Sequence, residues 1–234
     1  MAEIKQYPIV AISCQIFKDL LEKYLPEDVA SRIIYLDYGL HRTPNQLKTA
    51  IQAELDLLGQ PSLVILGYGL CGNGLDGLES GQHTLLVSRA DDCIALLLGS
   101  YAVYRQEFDH HPGTYYLTKG WLESGSNPLQ EYHEYVEKYG AGTADWLMDQ
   151  QYRHYRRLVL VAHTAEELAH YRAQAQEVAR YCERWGMRYE EILGSDQYIQ
   201  RLVEAASALD EANGDFIVIP PGDVLRQSHF MRTN

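Results

Sequence analysis

Short apolar runs alternate with amphipathic helical stretches along this whole chain, and no other pattern in it restricts the fold more. Ile9–Ile12, Arg32–Asp37 (RIIYLD), Leu63–Leu66, His83–Val87, Gly113–Leu117 (GTYYL), Arg157–Ala162 (RLVLVA), Met187–Ile192 and Phe216–Ile219 (FIVI) read as strands. Helical stretches fall between them. Gln15–Tyr24 stops at Pro26, and the next helix opens at Thr43-Pro44 and ends at Gly59. Asp91-Asp92 caps a third, with Cys93 in its first turn and the wholly apolar Ile94–Leu98 as its body, the mark of a buried helix. Thr164 caps Ala165–Trp185, where Glu166 and Glu167 suit the positive end, and Asp196–Leu209 follows. The alternation predicts an α/β fold with a largely parallel sheet flanked by helices. The helical stretch 127–156, broken near Gly140 and Gly142, predicts two packed βα lobes on either side of it, 1–126 and 157–234.

Charge and length exclude several classes of function. A net charge of −12 argues against a nucleic-acid backbone or an anionic membrane surface as partner. The longest apolar runs, such as Leu63–Leu66 and Ile94–Leu98, are far short of the roughly 20 residues that span a bilayer. The opening MAEIKQYPIVAIS has no basic segment followed by a long apolar one, so a secretory signal is not expected and the cytoplasm is the expected compartment. Four cysteines in 234 residues make no disulfide framework. Tyrosine is frequent, 18 against 4 phenylalanines, which suits half-polar interfaces and pocket walls.

The chemistry-bearing residues follow strand ends. Leu63–Gly77, LVILGYGLCGNGLDG, runs from a strand into a loop holding five glycines and Cys71. Cys14 follows the first strand, and Cys93 follows the strand after the glycine loop. Ligands of a parallel α/β sheet bind outside the carboxyl ends of its strands, where strand order reverses. If the strands are parallel, these loops, together with Thr118–Trp121, His163-Thr164 and Pro220-Pro221-Gly222, open into one cleft. Three thiols there have several readings. They are metal or cluster ligands, for zinc or an iron–sulfur cluster, with a fourth position open to substrate, water or a histidine such as His163, His110 or His111. One of them is a nucleophile. Or each is a small packed hydrophobe. No C-x-x-C is present to decide.

Gly67-x-Gly69-x-x-Gly72 also fits the dinucleotide fingerprint in letters, but after the third strand and with little room for an immediate helix. In that reading Gly69, Gly72, Asn73 and Gly74 contact the cofactor; otherwise Asn73 is a turn residue. Lys119, directly after a strand, either holds an anionic substrate group or caps a helix. Asp92 either caps its helix or orients a ligand. His110-His111 precedes a strand and reads as a surface loop, and Cys182, late in a helix, as structural.

The motifs GYGLCGNGL (Gly67–Leu75), SRADDCIALLLGS (Ser88–Ser100), GTYYLTKGW (Gly113–Trp121) and DFIVIPPG (Asp215–Gly222), with Ser13-Cys14, cover essentially the whole chain. In them the chain resembles a family of domains of unknown function from anaerobic bacteria and archaea. Members of that family often accompany genes for corrinoid-dependent methyltransferases. A cysteine or histidine that the family often carries near the arginine before the D-C-I step is replaced here by Ala90 and Asp91. The resemblance implies metal, corrinoid or one-carbon chemistry and no particular reaction. The sequence therefore predicts a metal or iron–sulfur site on Cys14, Cys71 and Cys93, with Lys119 and Asp92 as catalytic candidates. The protein is expected to act on a small molecule in methyl-transfer or corrinoid metabolism. The alternatives are a non-catalytic metal or corrinoid carrier serving a methyltransferase, and a nucleotide- or anion-binding module with structural cysteines.

Overall fold

The computed structural model describes residues 7–25, 30–209 and 214–232, so Pro26, read above as a helix stop, lies outside them. The chain divides into two units, residues 1–101 with 196–234 and residues 102–195. Each is α/β, as the alternation predicts.

The first unit is built on a five-stranded sheet. Its strands are β1 (Ile9–Cys14), β2 (Arg32–Leu36), β3 (Leu63–Gly67), β5 (Thr84–Ser88) and β9 (Phe216–Ile219), in the order β2-β1-β3-β5-β9. β1 lies between β2 and β3, with Ile12 opposite both Ile34 and Leu66, and all three run parallel. β3 in turn pairs with β5 in parallel, Leu66 opposite Val87. Every residue of β3 is buried, as expected for a strand covered on both faces. α2 (Pro44–Asp56) supplies one cover: Leu47, Ile51 and Leu55 repeat at helical spacing and pack with Ile12, Val64, Leu66 and Val87. The chain leaves β1 toward β2 and then returns to the other side of β1 as β3. Strand order therefore reverses between β1 and β3, which makes a crevice at their carboxyl ends.

β9 departs from the expected pattern. It runs antiparallel to β5, with Leu85 opposite Ile219 and Ser88 opposite Phe216. Pro220-Pro221-Gly222 therefore leaves at the amino end of β5, where Gly222 N–H bonds the Gly81 carbonyl at 2.7 Å and Ser80 Oγ–H bonds the Pro220 carbonyl at 2.8 Å. It is not part of the carboxyl edge that the sequence suggested. Asp215, just before β9, takes that place. Its carbonyl accepts from Arg89 N–H at 2.7 Å, and its carboxylate accepts from Arg201 at 2.5 Å and Arg232 at 2.9 Å.

The second unit holds a parallel three-stranded sheet, β6 (Thr114–Leu117), β7 (Arg157–Ala162) and β8 (Arg188–Leu193), in that order. Around it are α6 (Pro128–Tyr139), α7 (Ala141–Tyr152) and α8 (Ala165–Cys182), with Gly140 at positive φ between the first two. Thr118–Trp121 and His163-Thr164 follow β6 and β7, so these loops belong to this separate sheet and not to the one that carries the cysteines. Much of the tyrosine excess packs here. Tyr115, Tyr132, Tyr152, Tyr155 and Tyr181 meet one another and Trp185. Tyr152 donates to Glu131 at 2.6 Å. Arg157 is buried and satisfied by Glu107 at 2.8 Å and Glu190 at 2.6 Å.

The division differs from the boundaries at 126 and 156. β6 pairs with the later β7, and the last segment returns to the first sheet through β9. Both are non-local pairings, invisible to a reading by linear segments.

Asp215 gives a pH-dependent contribution. Burial pushes its carboxyl up, but the hydrogen bonds from Arg201 and Arg232 outweigh this and hold it below the usual range. A lowered folded-state pKa stabilises above the unfolded value of about 3.9, and the contribution is lost as pH falls through the lower folded value. Asp215→Asn is expected to lower unfolding stability by about 1–3 kcal/mol at neutral pH, because two guanidinium groups lose a charged acceptor. The difference from the parent should shrink in urea melts below about pH 4.

Candidate functional site

The site grows from the carboxyl ends of β1, β3 and β5. Ser13 and Gly67 are opposite in the β1–β3 register, and an ideal Cβ on Gly67 would stand 2.2 Å from Ser13 Oγ. Ser13 Oγ–H bonds the carbonyls of Cys14 at 3.0 Å and Gly67 at 3.2 Å, fixing the end of β1 to the end of β3. Beyond the strands, Leu70 N–H bonds the Ala90 carbonyl at 2.8 Å and Cys71 N–H the Asp91 carbonyl at 3.0 Å. This clamps the loop after β3 to the loop after β5. Gly69 lies against the Asp92 backbone, where a Cβ would meet Asp92 C at 2.6 Å.

Cys71, Gly72 and Asn73 then take successive left-handed conformations, φ 50°, 63° and 70°. For a cysteine that conformation costs roughly 1–2 kcal/mol, and asparagine tolerates it better. The glycines of the loop have local reasons to be glycine. Gly69 and Gly74 lack room for a Cβ, the latter because Leu47 Cδ2 would stand at 2.8 Å, and Gly72 sits at positive φ. Residues 71–77 form turns leading to β4 (Leu78–Glu79), not the helix that a dinucleotide fingerprint opens. Without that helix the nucleotide reading loses its phosphate site.

The fold brings the three cysteines together. Cys71 Sγ and Cys93 Sγ stand 3.3 Å apart. Cys14, at the end of β1, acts electrostatically on both partners, and Cys14 and Cys93 pack against the same apolar core as Cys71. The Cys71 thiol is pushed well up by its hydrogen bond with Cys93, then by burial and the charges of Cys93, Asp92 and Cys14. Burial pushes Cys14 up further than any other cause, with Cys93 adding to it and the Ile16 N–H opposing it. Such thiols stay protonated at neutral pH, which disfavours an activated nucleophile. Tyr68 also belongs here. Its phenol is pushed up by burial and then by Cys14, Cys93 and Cys71, and its hydroxyl has no hydrogen-bond partner among the described residues.

As the side chains stand, no group of three or more His, Cys, Asp or Glu among the described residues is arranged to hold a metal ion. The pair Cys71–Cys93 is nevertheless close to a bite. A zinc–sulfur bond of about 2.3 Å at tetrahedral angles sets two sulfurs about 3.8 Å apart. Cys14 lies within electrostatic reach of both sulfurs, and thiolates are soft donors suited to thiophilic ions.

The other sequence candidates have other settings. Asp92 Oδ1 accepts from Ile94 N–H at 2.8 Å and caps α3 (Cys93–Leu97). Lys119 belongs to the second unit and pairs with Glu167 at 3.4 Å. His110, His111 and His163 also belong to that unit, the first two exposed. Cys182, within the α8 packing, is a core thiol pushed up to about 12 by burial. Sequence reasoning passed over Tyr68. Its signal was present: one large, polar-tipped residue between two glycines directly after a buried strand.

A family profile described as "Protein of unknown function (DUF1638)" matches residues 35–203. The chain belongs to the DUF1638 family. No curated protein and no solved structure matches it. The DUF1638 match includes Cys71 and Cys93 and the entire second unit, while Cys14 and β9 lie outside it. The first unit needs both flanks, since β1 is central in its sheet and β9 pairs with β5.

Gly69→Ala is expected to destabilise the protein by about 1–3 kcal/mol through overpacking against the Asp92 backbone. Gly59→Ala, where nothing stands within 4 Å, should stay within about 0.5 kcal/mol. Denaturant melts of the two variants check the difference.

Proposed function

We propose that this DUF1638 protein binds a single thiophilic metal ion of the zinc class through Cys14, Cys71 and Cys93, leaving one position open to a small molecule. The observation that carries this is the 3.3 Å approach of Cys71 Sγ to Cys93 Sγ, with Cys14 at the end of the neighbouring strand and in electrostatic reach. Sulfurs bound to different irons of a [4Fe–4S] cluster stand farther apart than two on one metal ion, so the pair weighs against that cluster type. The raised pKa values of Cys14 and Cys71 weigh against either as a nucleophile, whereas a bound cation displaces the protons and holds the thiolates. When bound, the ion supplies Lewis acidity at its open position. The residues of the chain hold it: three loops from one sheet edge each deliver one sulfur.

The substrate class that suits an open position on a thiolate-bound ion is a small molecule with a thiol or other soft heteroatom. Alkyl transfer to such a donor agrees with the methyl-transfer setting that the family resemblance implies. The second reading is a metal carrier for such an enzyme. It is favoured by Asp92 being committed to a helix cap.

Elemental analysis and an absorption spectrum of anaerobically purified protein test the proposal. The expected result is stoichiometric metal without the visible absorption of an iron–sulfur cluster. Cys71→Ser and Cys93→Ser should each lose at least tenfold in affinity. Absence of near-stoichiometric metal, unchanged in Cys14→Ser, Cys71→Ser and Cys93→Ser, would sink the site. Stoichiometric binding with no turnover of small thiols would favour the carrier.

A further inference from the structure

Cys71 and Cys93 are free thiols of the first unit, and their sulfurs stand 3.3 Å apart. The backbone behind each sulfur is fixed. Cys71 N–H bonds the Asp91 carbonyl at 3.0 Å and Leu70 N–H the Ala90 carbonyl at 2.8 Å, so the loop after β3 is held along the loop after β5. The Asp92 carboxylate accepts from Ile94 N–H at 2.8 Å, which sets where α3 begins with Cys93 as its first residue. Each sulfur is thus carried by backbone anchored within two residues of it. Reacting atoms held about 3–3.5 Å apart, and so spared the search for each other, form a near-attack pair. A disulfide sets its sulfurs at about 2.05 Å, a closure of about 1.3 Å from the observed contact. Cys71 is buried and Cys93 half-buried, so a reagent from solution reaches Cys93 first.

We propose that Cys71 and Cys93 form a reversible disulfide, an oxidative modification site whose co-reactant is a small-molecule disulfide of the glutathione class. This goes beyond the metal reading and does not need it, since it rests on the sulfur–sulfur contact and the clamp behind it. The Cys93 sulfur, as thiolate, attacks one sulfur of the small disulfide. A mixed disulfide forms, and the first small thiolate leaves and takes up the proton that Cys93 gave up. Cys71 then attacks the Cys93 sulfur. The mixed bond breaks, and the second small thiol leaves with the proton of Cys71. Two protein thiols lose two electrons in becoming one disulfide, and the small disulfide gains them in becoming two thiols. Burial disfavours Cys71 as a nucleophile toward solutes, but its target in the second step is already beside it. The high effective concentration of a held pair offsets a small thiolate fraction. The bridge takes two of the three sulfurs away from the sheet edge, so redox state decides whether that edge offers soft donors.

The test treats the reduced full chain with glutathione disulfide, under anaerobic conditions and with a chelator present, and reads intact mass, thiol count after denaturation and a peptide map. Wild type should lose two of its four thiols, keep no glutathione adduct and yield a linked Cys71–Cys93 peptide. Dithiothreitol should restore all four thiols. Cys71→Ser should stop at a glutathione adduct on Cys93, because the resolving sulfur is gone, and Cys14→Ser should bridge as wild type does. In graded mixtures of glutathione and its disulfide, the native bridge should withstand about tenfold more reduced glutathione than the same pair in urea. A wild-type chain that keeps four thiols, or holds a stable adduct on Cys93 beside a free Cys71, overturns the proposal. So does a linkage through Cys14 in place of Cys71, and so does equal resistance of the bridge in native and urea-unfolded protein. Every readout is taken without metal and bears on the dithiol alone.

Discussion

Two backbone hydrogen bonds, Leu70 N–H to Ala90 O and Cys71 N–H to Asp91 O, organise the functional end of the first unit. They extend the β3–β5 pairing past the ends of both strands, into loops that would otherwise diverge. Every special feature nearby depends on them. Gly69 must be glycine because the clamp presses it onto Asp92. The chain must then turn away within one residue, which puts Cys71 into the left-handed region and its sulfur beside Cys93. β1 is tied to the same point by Ser13, whose hydroxyl reaches the Gly67 carbonyl, so Cys14 arrives at the crevice where strand order reverses. The strain of a left-handed cysteine persists because the hydrogen bonds on either side over-determine it.

The α/β class and most element positions were legible in the sequence. The strands are short apolar runs, and caps such as Asn127 and Thr164 are occupied as such residues usually are. The meeting of three cysteines was legible for one physical reason: a parallel sheet sends the loops after its strands to the same edge. That rule failed where its premise failed. FIVI carries no mark of direction, and as β9 it runs antiparallel, so Asp215 rather than Pro220-Pro221-Gly222 reaches the carboxyl edge. GTYYL carries no mark of sheet membership either, and as β6 it pairs with β7, which takes Lys119 into the second unit. Direction and partnership of strands are set by pairings across many residues, which local periodicity does not encode. The glycine loop misled in another way. Its letters match a phosphate-binding turn, but the glycines answer close backbone approaches by Ser13, Asp92 and Leu47.

Both units bury polar groups. In the second, Arg157 has Glu107 and Glu190, Tyr152 has Glu131, and Trp185 donates to Asp149 at 2.7 Å, while the Thr118 hydroxyl is buried without a partner among the described residues. Those pairs explain how a tyrosine-rich packing stays satisfied. In the first, the Tyr68 hydroxyl and the Ser88 hydroxyl are buried without partners among the described residues, both at the carboxyl edge of the sheet. These two hydroxyls leave bonding capacity at the sheet edge where the cysteines also lie.

Charge narrows what that edge can bind. The protein carries a net charge of −12, and the acidic Asp37 and Asp92 act on Cys14 and Cys71 respectively. An anionic ligand would meet their repulsion there. A dication reverses the balance: three thiolates against two positive charges leave a single negative charge, spread over three sulfurs. That residual charge can be carried in an apolar pocket only by donors already aimed at it. The Ile16 N–H is such a donor, and it lowers the Cys14 thiol pKa against the other causes that raise it. Acidic neighbours and a neutral N–H donor around these thiols suit a cation in the proposed site better than an anion.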